Sequence, residues 1–304
     1  TEYPLLDCEF PTIDPKDPYT LTADEARVVG RLQKAFQRCD KLQRHVRLLF
    51  TKGSLYKIYN SNLLYHGCIP VDSQGQFKAV NLFGDTLSGR GLCDALDNFA
   101  RRGYYAKSDD PQRLLGQDVM WYVWCGPNSP VYGKDKMTTF ERYFIADSKL
   151  HQETKNPYYA RVDEPVLVDR ILTEFGLSLD HSHIINGHMP VEKPKGESPI
   201  KNGGRLLIID GGFCKAYQPK TGIAGYTLVY SSHGLRLVSH EPFESAEDAI
   251  VNERDIHSEY TVVERAATRA TVGDTDVGRE LRARIDDLEE LLRAYQTGLL
   301  VEAE

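Results

Sequence analysis

The chain has 304 residues, 41% of them hydrophobic, enough to bury a sizeable core as one large domain or as a domain with an appendage. Its formal net charge of -7 argues against nucleic acid or anionic membrane as the main partner, because neither attracts an acidic surface. No apolar run approaches the ~20 residues that span a bilayer, and nothing at the start resembles a secretory leader. The six cysteines (Cys8, Cys39, Cys68, Cys93, Cys125, Cys214) form no CxxC pair and predict reduced thiols in a cytoplasmic protein.

The chain opens at Thr1 without a methionine, in a Pro- and Asp-rich strip that reads as extended and turn-like, as expected of the remainder of something longer. Thr22 and Glu25 have the spacing of a capping box. Val28, Val29, Leu32 and Phe36 follow at helical spacing, and Leu42, Val46, Leu49 and Phe50 predict a second helix ending near Gly53. Leu55–Tyr59 and Leu63–His66 read as strands of a hairpin joined by Asn60-Ser61-Asn62, so His66 stands at a strand end beside Gly67.

Asp72–Gly75 makes a turn, and Phe77–Phe83 reads as a strand. Leu92, Leu96 and Phe99 fit a short helix. A further helix ends in Asp118–Cys125 and breaks at Gly126-Pro127; it carries both tryptophans and is expected to be core. The loop Gly133–Phe144 holds Lys134, Lys136, Arg142 and two threonines, a group able to grip a phosphate through charge-assisted hydrogen bonds, or simply a polar loop. Glu164-Pro165 opens a helix that Gly176 closes.

The stretch from Ser182 to Tyr230 organises the rest. Ile184-Ile185 reads as a short buried strand ending at Asn186-Gly187, with His188 on the turn, and Leu206–Ile209 as a second strand ending at Asp210-Gly211-Gly212. Strand ends are where α/β folds keep their chemistry. His66 and His188, each following a strand, therefore read as paired metal ligands or phosphate contacts; imidazole suits Zn, Mn, Fe or Ni. His181 and His183 would share one strand face, a weaker metal pair with no third ligand nearby. The polar run to Thr275 reads as a partly ordered linker (249–275). Leu281, Ile285, Leu288, Leu291 and Leu292 then make an amphipathic helix (276–304), expected to pack on the body of the protein, which takes 1–248.

Six segments resemble, in order, the bacterial class 3 fructose-1,6-bisphosphatases: NSNLLYHGCIP (60–70), MWYVWCGPNSP (120–130), YGKDKMTTFERYF (132–144), HIINGHMPV (183–191), KGESPIKNGGRLLIIDGGFCKAYQPKTGIAGYTL (195–228) and LRLVSHEPFES (235–245). The resemblance implies an α/β (α+β) fold: the C-terminal half of a calcineurin-like metallophosphoesterase two-sheet sandwich flanked by helices. It implies two divalent metals, usually Mn2+, hydrolysis of fructose 1,6-bisphosphate in gluconeogenesis, and a cytoplasmic location. His66 and His188 match two metal-ligating histidines of one metal, Phe213 and Cys214 the lip of the substrate pocket, and Lys134, Lys136 and Arg142 match substrate contacts.

The superfamily's other motifs, Asp-x-His, Gly-Asp-x-x-Asp-Arg-Gly and Gly-Asn-His-Asp/Glu, are not in place. Gly84–Gly91 and Asp255-Ile256-His257 only imitate them, and no catalytic residue is assigned in this chain. The resemblance thus implies a phosphatase inactive without a separately supplied N-terminal half. The alternatives are a non-catalytic remnant or regulatory subunit, and a related phosphoesterase of other substrate.

Overall fold

The computed structural model describes residues 3–242, 244–253, 255 and 257–301. In chain order the helices are α1 (Ala23–Arg38), α2 (Asp40–Lys52), α3 (Gly89–Tyr105), α4 (Pro111–Cys125), α5 (Phe140–Phe144), α6 (Pro165–Glu174), α7 (Gln218–Thr221), α8 (Ala246–Val251) and α9 (Asp276–Gln296). The strands are β1 (Tyr56–Tyr59), β2 (Asn62–Tyr65), β3 (Val80–Leu82), β4 (Asp85–Leu87), β5 (His183–Asn186), β6 (Ile200–Lys201), β7 (Leu206–Ile208), β8 (Gly225–Ser231), β9 (Gly234–His240) and β10 (Ser258–Arg265). Among the described residues the fold is mixed α/β with three sheets, and no helix is long and apolar enough to cross a membrane.

Two compact units divide the chain. One takes the residues up to Tyr56 together with Cys68–Ala160; the other takes Lys57–Gly67 together with the residues from Arg161 onward.

In the first unit the capping box of Thr22 and Glu25 opens α1 as the sequence predicts, and Gly53 caps α2. Neither helix buries a residue: Val28, Val29, Leu32, Phe36, Leu48 and Leu49 are all exposed. The core gathers Leu82, Leu92, Leu96, Val119 and Val123. The expected strand over 77–83 shrinks to β3, because Phe83 and Gly84 take positive φ (55° and 99°) and turn the chain back into β4. Asp85 is the first residue of β4, so the Gly-Asp imitation is a hairpin turn.

Helices α3 and α4 approach so closely that a Cβ on Gly103 would lie 2.5 Å from the Cα of Gly116. That contact sets the face of α4. Gly116, Val119 and Val123 are its buried residues, which turns the tryptophans outward. Trp121 is 65% and Trp124 54% exposed, packed edge to face at 5.1 Å. The expectation of a tryptophan core fails because the neighbouring helix seats on glycine, and a helix has only one face to give it.

The second unit holds a five-stranded sheet in the order β1-β2-β5-β7-β6 and a three-stranded sheet β10-β9-β8. Strands β2, β5 and β7 run parallel, with Leu63 opposite Ile184 and Ile185 opposite Leu207. Covered on both faces, central strands read as unbroken apolar runs; Ile184-Ile185 and Leu206-Leu207-Ile208 are such runs and are buried. Ile185, Leu207 and Leu235 form one core cluster, with Leu64, Ile200, Ile209, Leu228 and Val263 against it. Val263 lies on β10, so the span read as a linker supplies a strand, as its Thr261-Val262-Val263 run favours. Helix α9 takes Asp276–Gln296 of the 276–304 expected; Gly278 is its only buried residue, and among the described residues Leu281, Ile285, Leu288, Leu291 and Leu292 stay exposed instead of packing on the body.

Candidate metal-binding site

Parallel pairing of β2 with β5 makes both strands finish at the same sheet edge. His66 follows β2 directly; His188 follows β5 after Gly187. The backbone N–H of Gly187 donates to the carbonyl of His66 at 2.9 Å, and Nδ2 of the buried Asn186 donates to the carbonyl of Gly67 at 3.0 Å. These bonds tie the two strand ends together and bring Nε2 of His66 within 3.0 Å of Nδ1 of His188. The rings stand 4.9 Å apart at 65°. His66 is exposed and His188 half-buried, so the pair faces solvent. His188 holds this position with φ of 67°, a left-handed conformation uncommon for a residue with a Cβ.

Strand β7 brings a third residue to the same edge. A Cβ on Gly187 would lie 3.6 Å from the Cβ of Asp210. Oδ1 of Asp210 accepts from Gly212 N–H at 3.0 Å, and its carbonyl accepts from Val191 N–H at 2.9 Å.

Two imidazole nitrogens bound to one ion at about 2.0–2.1 Å each stand roughly 2.9–3.3 Å apart. The 3.0 Å contact between His66 and His188 is the length of an N–H···N hydrogen bond and also falls within that spacing. Among the described residues no three His, Cys, Asp or Glu side chains gather into a group that could hold an ion.

Phe213 and Cys214 follow the Asp210-Gly211-Gly212 turn and are exposed. The ring of Phe213 rests on Gly225, where a Cβ would come within 2.7 Å of the ring. Gly211 also abuts Gly225, with only 2.7 Å from a Cβ on Gly211 to the Gly225 Cα.

Lys134, Lys136 and Arg142 belong to the first unit. Glu153, which the sequence does not single out, organises two of them: Lys134 Nζ lies 2.6 Å and Arg142 Nη2 3.8 Å from its carboxylate. The backbone N–H and hydroxyl of Thr138 both donate to it at 3.0 Å. Burial works to raise the pKa of Glu153, but the hydrogen bonds from Lys134 and Thr138 and the Lys134 charge more than offset it and pull it down to about 2. Lys136 is exposed.

His181 and His183 line a separate cavity of 530 Å³ in the second unit, together with Asn62, Tyr230 and Glu264. His183 Nε2 lies 3.1 Å from Glu264 of β10, and burial lowers its pKa although Glu264 works the other way. The Asp255-Ile256-His257 imitation includes Ile256, which lies outside the described residues. Glu153 and Asn186 are the residues that sequence reasoning missed. Asn186 could have been found, since a buried strand that ends in Asn must satisfy that amide; Glu153 sits in an ordinary polar run and carried no signal.

The profile of the Firmicute fructose-1,6-bisphosphatase family matches residues 1–297. The chain belongs to this family. It is 53% identical over 300 residues to the class 3 fructose-1,6-bisphosphatase of Clostridium tetani (strain Massachusetts / E88), covering 99% of this chain and 45% of the relative. It is 54% identical over 300 residues to the class 3 enzyme of Clostridium botulinum (strain Kyoto / Type A2), with the same coverage. The chain thus spans about 45% of the length of the curated relatives it matches. No solved structure matches it.

Proposed function

We propose that the chain supplies one part of a manganese-dependent fructose-1,6-bisphosphatase. His66 and His188 would be two ligands of one ion, and the other ligands would come from the part of the relatives that it does not span. The observation that carries this reading is the 3.0 Å approach of two histidines 122 residues apart, each at the end of a parallel strand, in a chain of this family. A bound pair of divalent ions supplies Lewis acidity, polarising the phosphate ester and lowering the pKa of a water molecule at the site. The chain's own residues hold and orient. The Gly187–His66 and Asn186–Gly67 bonds fix the ligands, and Phe213 and Cys214 offer a lip for the sugar. Lys134 and Arg142, ordered by Glu153, and the exposed Lys136 offer charge to a phosphate. The whole enzyme would then be the two-sheet sandwich that the resemblance implies.

The test is manganese-dependent phosphate release from fructose 1,6-bisphosphate by the chain alone and by the chain mixed with the remaining part of the C. tetani relative, with metal content measured on both. Activity in the mixture only, lost in His66→Ala and His188→Ala, is the expected result. Turnover by the chain alone would contradict the need for a second part. No activity and no bound metal in either sample would make the chain a non-catalytic member of the family.

A further inference from the structure

The 530 Å³ cavity of the second unit lies where β2 and β5 start, at the end of the sheet opposite the histidine pair. Asn62 opens β2 and His183 opens β5. The two are register partners in the parallel sheet, so their side chains leave on one face. A bulge between Val262 and Glu264 breaks the pairing of β10 with β9, a device that redirects a side chain. Glu264, just past it, lies 3.1 Å from His183 Nε2. Main-chain bonds fix the walls. Ala266 N–H donates to the carbonyl of His233 at 3.1 Å, Ala270 N–H to that of Ser232 at 2.9 Å, and Asn60 N–H to Asp276 Oδ2 at 2.7 Å. A volume of 530 Å³ is that of a small-molecule pocket.

The lining selects a ligand by charge. Asn62 is 6% exposed; its Nδ2 donates to the carbonyls of Tyr59 and Asn60, while its buried Oδ1 accepts no hydrogen bond among the described residues. A buried acceptor without a donor is costly, and a bound N–H group relieves it. Burial lowers the pKa of His183 although Glu264 works the other way, so at neutral pH the imidazole is uncharged and the Glu264 carboxylate faces no paired cation. Asp274 adds a second carboxylate, whereas no Lys or Arg is in the described lining. Arg205, whose charge reaches His183, is paired with Asp169 and stands outside the lining. A phosphate or carboxylate ligand would therefore meet like charge. Leu235, Ala266 and Ala270 make the remaining wall apolar.

We propose that this cavity binds a small organic cation, an ammonium group on an apolar body, with the ammonium held between Glu264 and Asn62 Oδ1 and the body against Leu235 and the alanines. The site is independent of the phosphatase reading. The test is isothermal titration calorimetry of the full 304-residue chain with phenethylamine, phenethyl alcohol and phenylacetate, which share an apolar body and differ in charge. The amine should bind with a Kd of about 1 mM or tighter. The alcohol should bind at least about tenfold more weakly, and phenylacetate not at all. Glu264→Gln keeps the shape of the side chain and should weaken the amine about tenfold. Ala267→Trp, at an exposed position in the lining, should fill the cavity and abolish binding, with circular dichroism confirming that both variants stay folded. An amine that fails to bind the wild-type chain, or binds no better than the alcohol, would overturn the proposal. Affinity unchanged in either variant would put the amine elsewhere and overturn it as well.

Discussion

Gly187 donates its backbone N–H to the carbonyl oxygen of His66 at 2.9 Å. The two candidate ligands are therefore aligned by main chain. Substitutions of their side chains leave that main-chain bond in place and should separate metal binding from folding.

His188→Gly removes an imidazole from a half-buried position with φ of 67°. Relief of the left-handed strain and the added freedom of glycine in the unfolded chain oppose each other, so stability should change by less than about 1 kcal/mol. Manganese affinity, measured on the chain reconstituted with the rest of a relative, should fall at least about tenfold. A large loss of stability in urea unfolding would mean that the ring is structural.

Asn186 is 1% exposed and its Nδ2 bonds the Gly67 carbonyl. Asn186→Leu leaves that carbonyl without its partner and should cost ~1–3 kcal/mol in denaturant unfolding. The same change should loosen the histidine pair, so metal affinity should drop although no ligand has been touched.

Glu153 predicts a pH dependence. Its pKa is lowered from 4.5 to about 2, so the folded state favours the ionised form. The stabilisation is fully present above the ordinary value of 4.5 and is lost as pH falls from there towards about 2. Its upper bound is about 3 kcal/mol. Glu153→Gln should flatten this acid-side decline; equal slopes for wild type and variant below about pH 5 would refute the assignment.

Gly116→Ala puts a methyl group where a Cβ would lie 2.2 Å from the Cα of Gly103. Neither helix backbone can yield locally, so the variant should lose ~1–3 kcal/mol. Trp121→Ala on the opposite, exposed face of α4 should cost far less, reversing the order expected from side-chain size.

Local signals in the sequence carried much of the fold. The capping box at Thr22, the Asn60–Asn62 turn, the helix stop at Gly176 and the apolar runs of β5 and β7 are each decided within a few residues, by backbone preference and periodicity. The histidines could be picked out by their place after strands. Their partnership could not, because it depends on β2 and β5 being parallel neighbours in register, a pairing between segments over a hundred residues apart. Burial was also decided late. The tryptophans of α4 face outward because Gly103 and Gly116 choose the contact face, and the apolar stripe of α9 remains exposed among the described residues. Hydrophobicity read along a sequence says that a face seeks cover, whereas only the tertiary arrangement says whether this chain provides it.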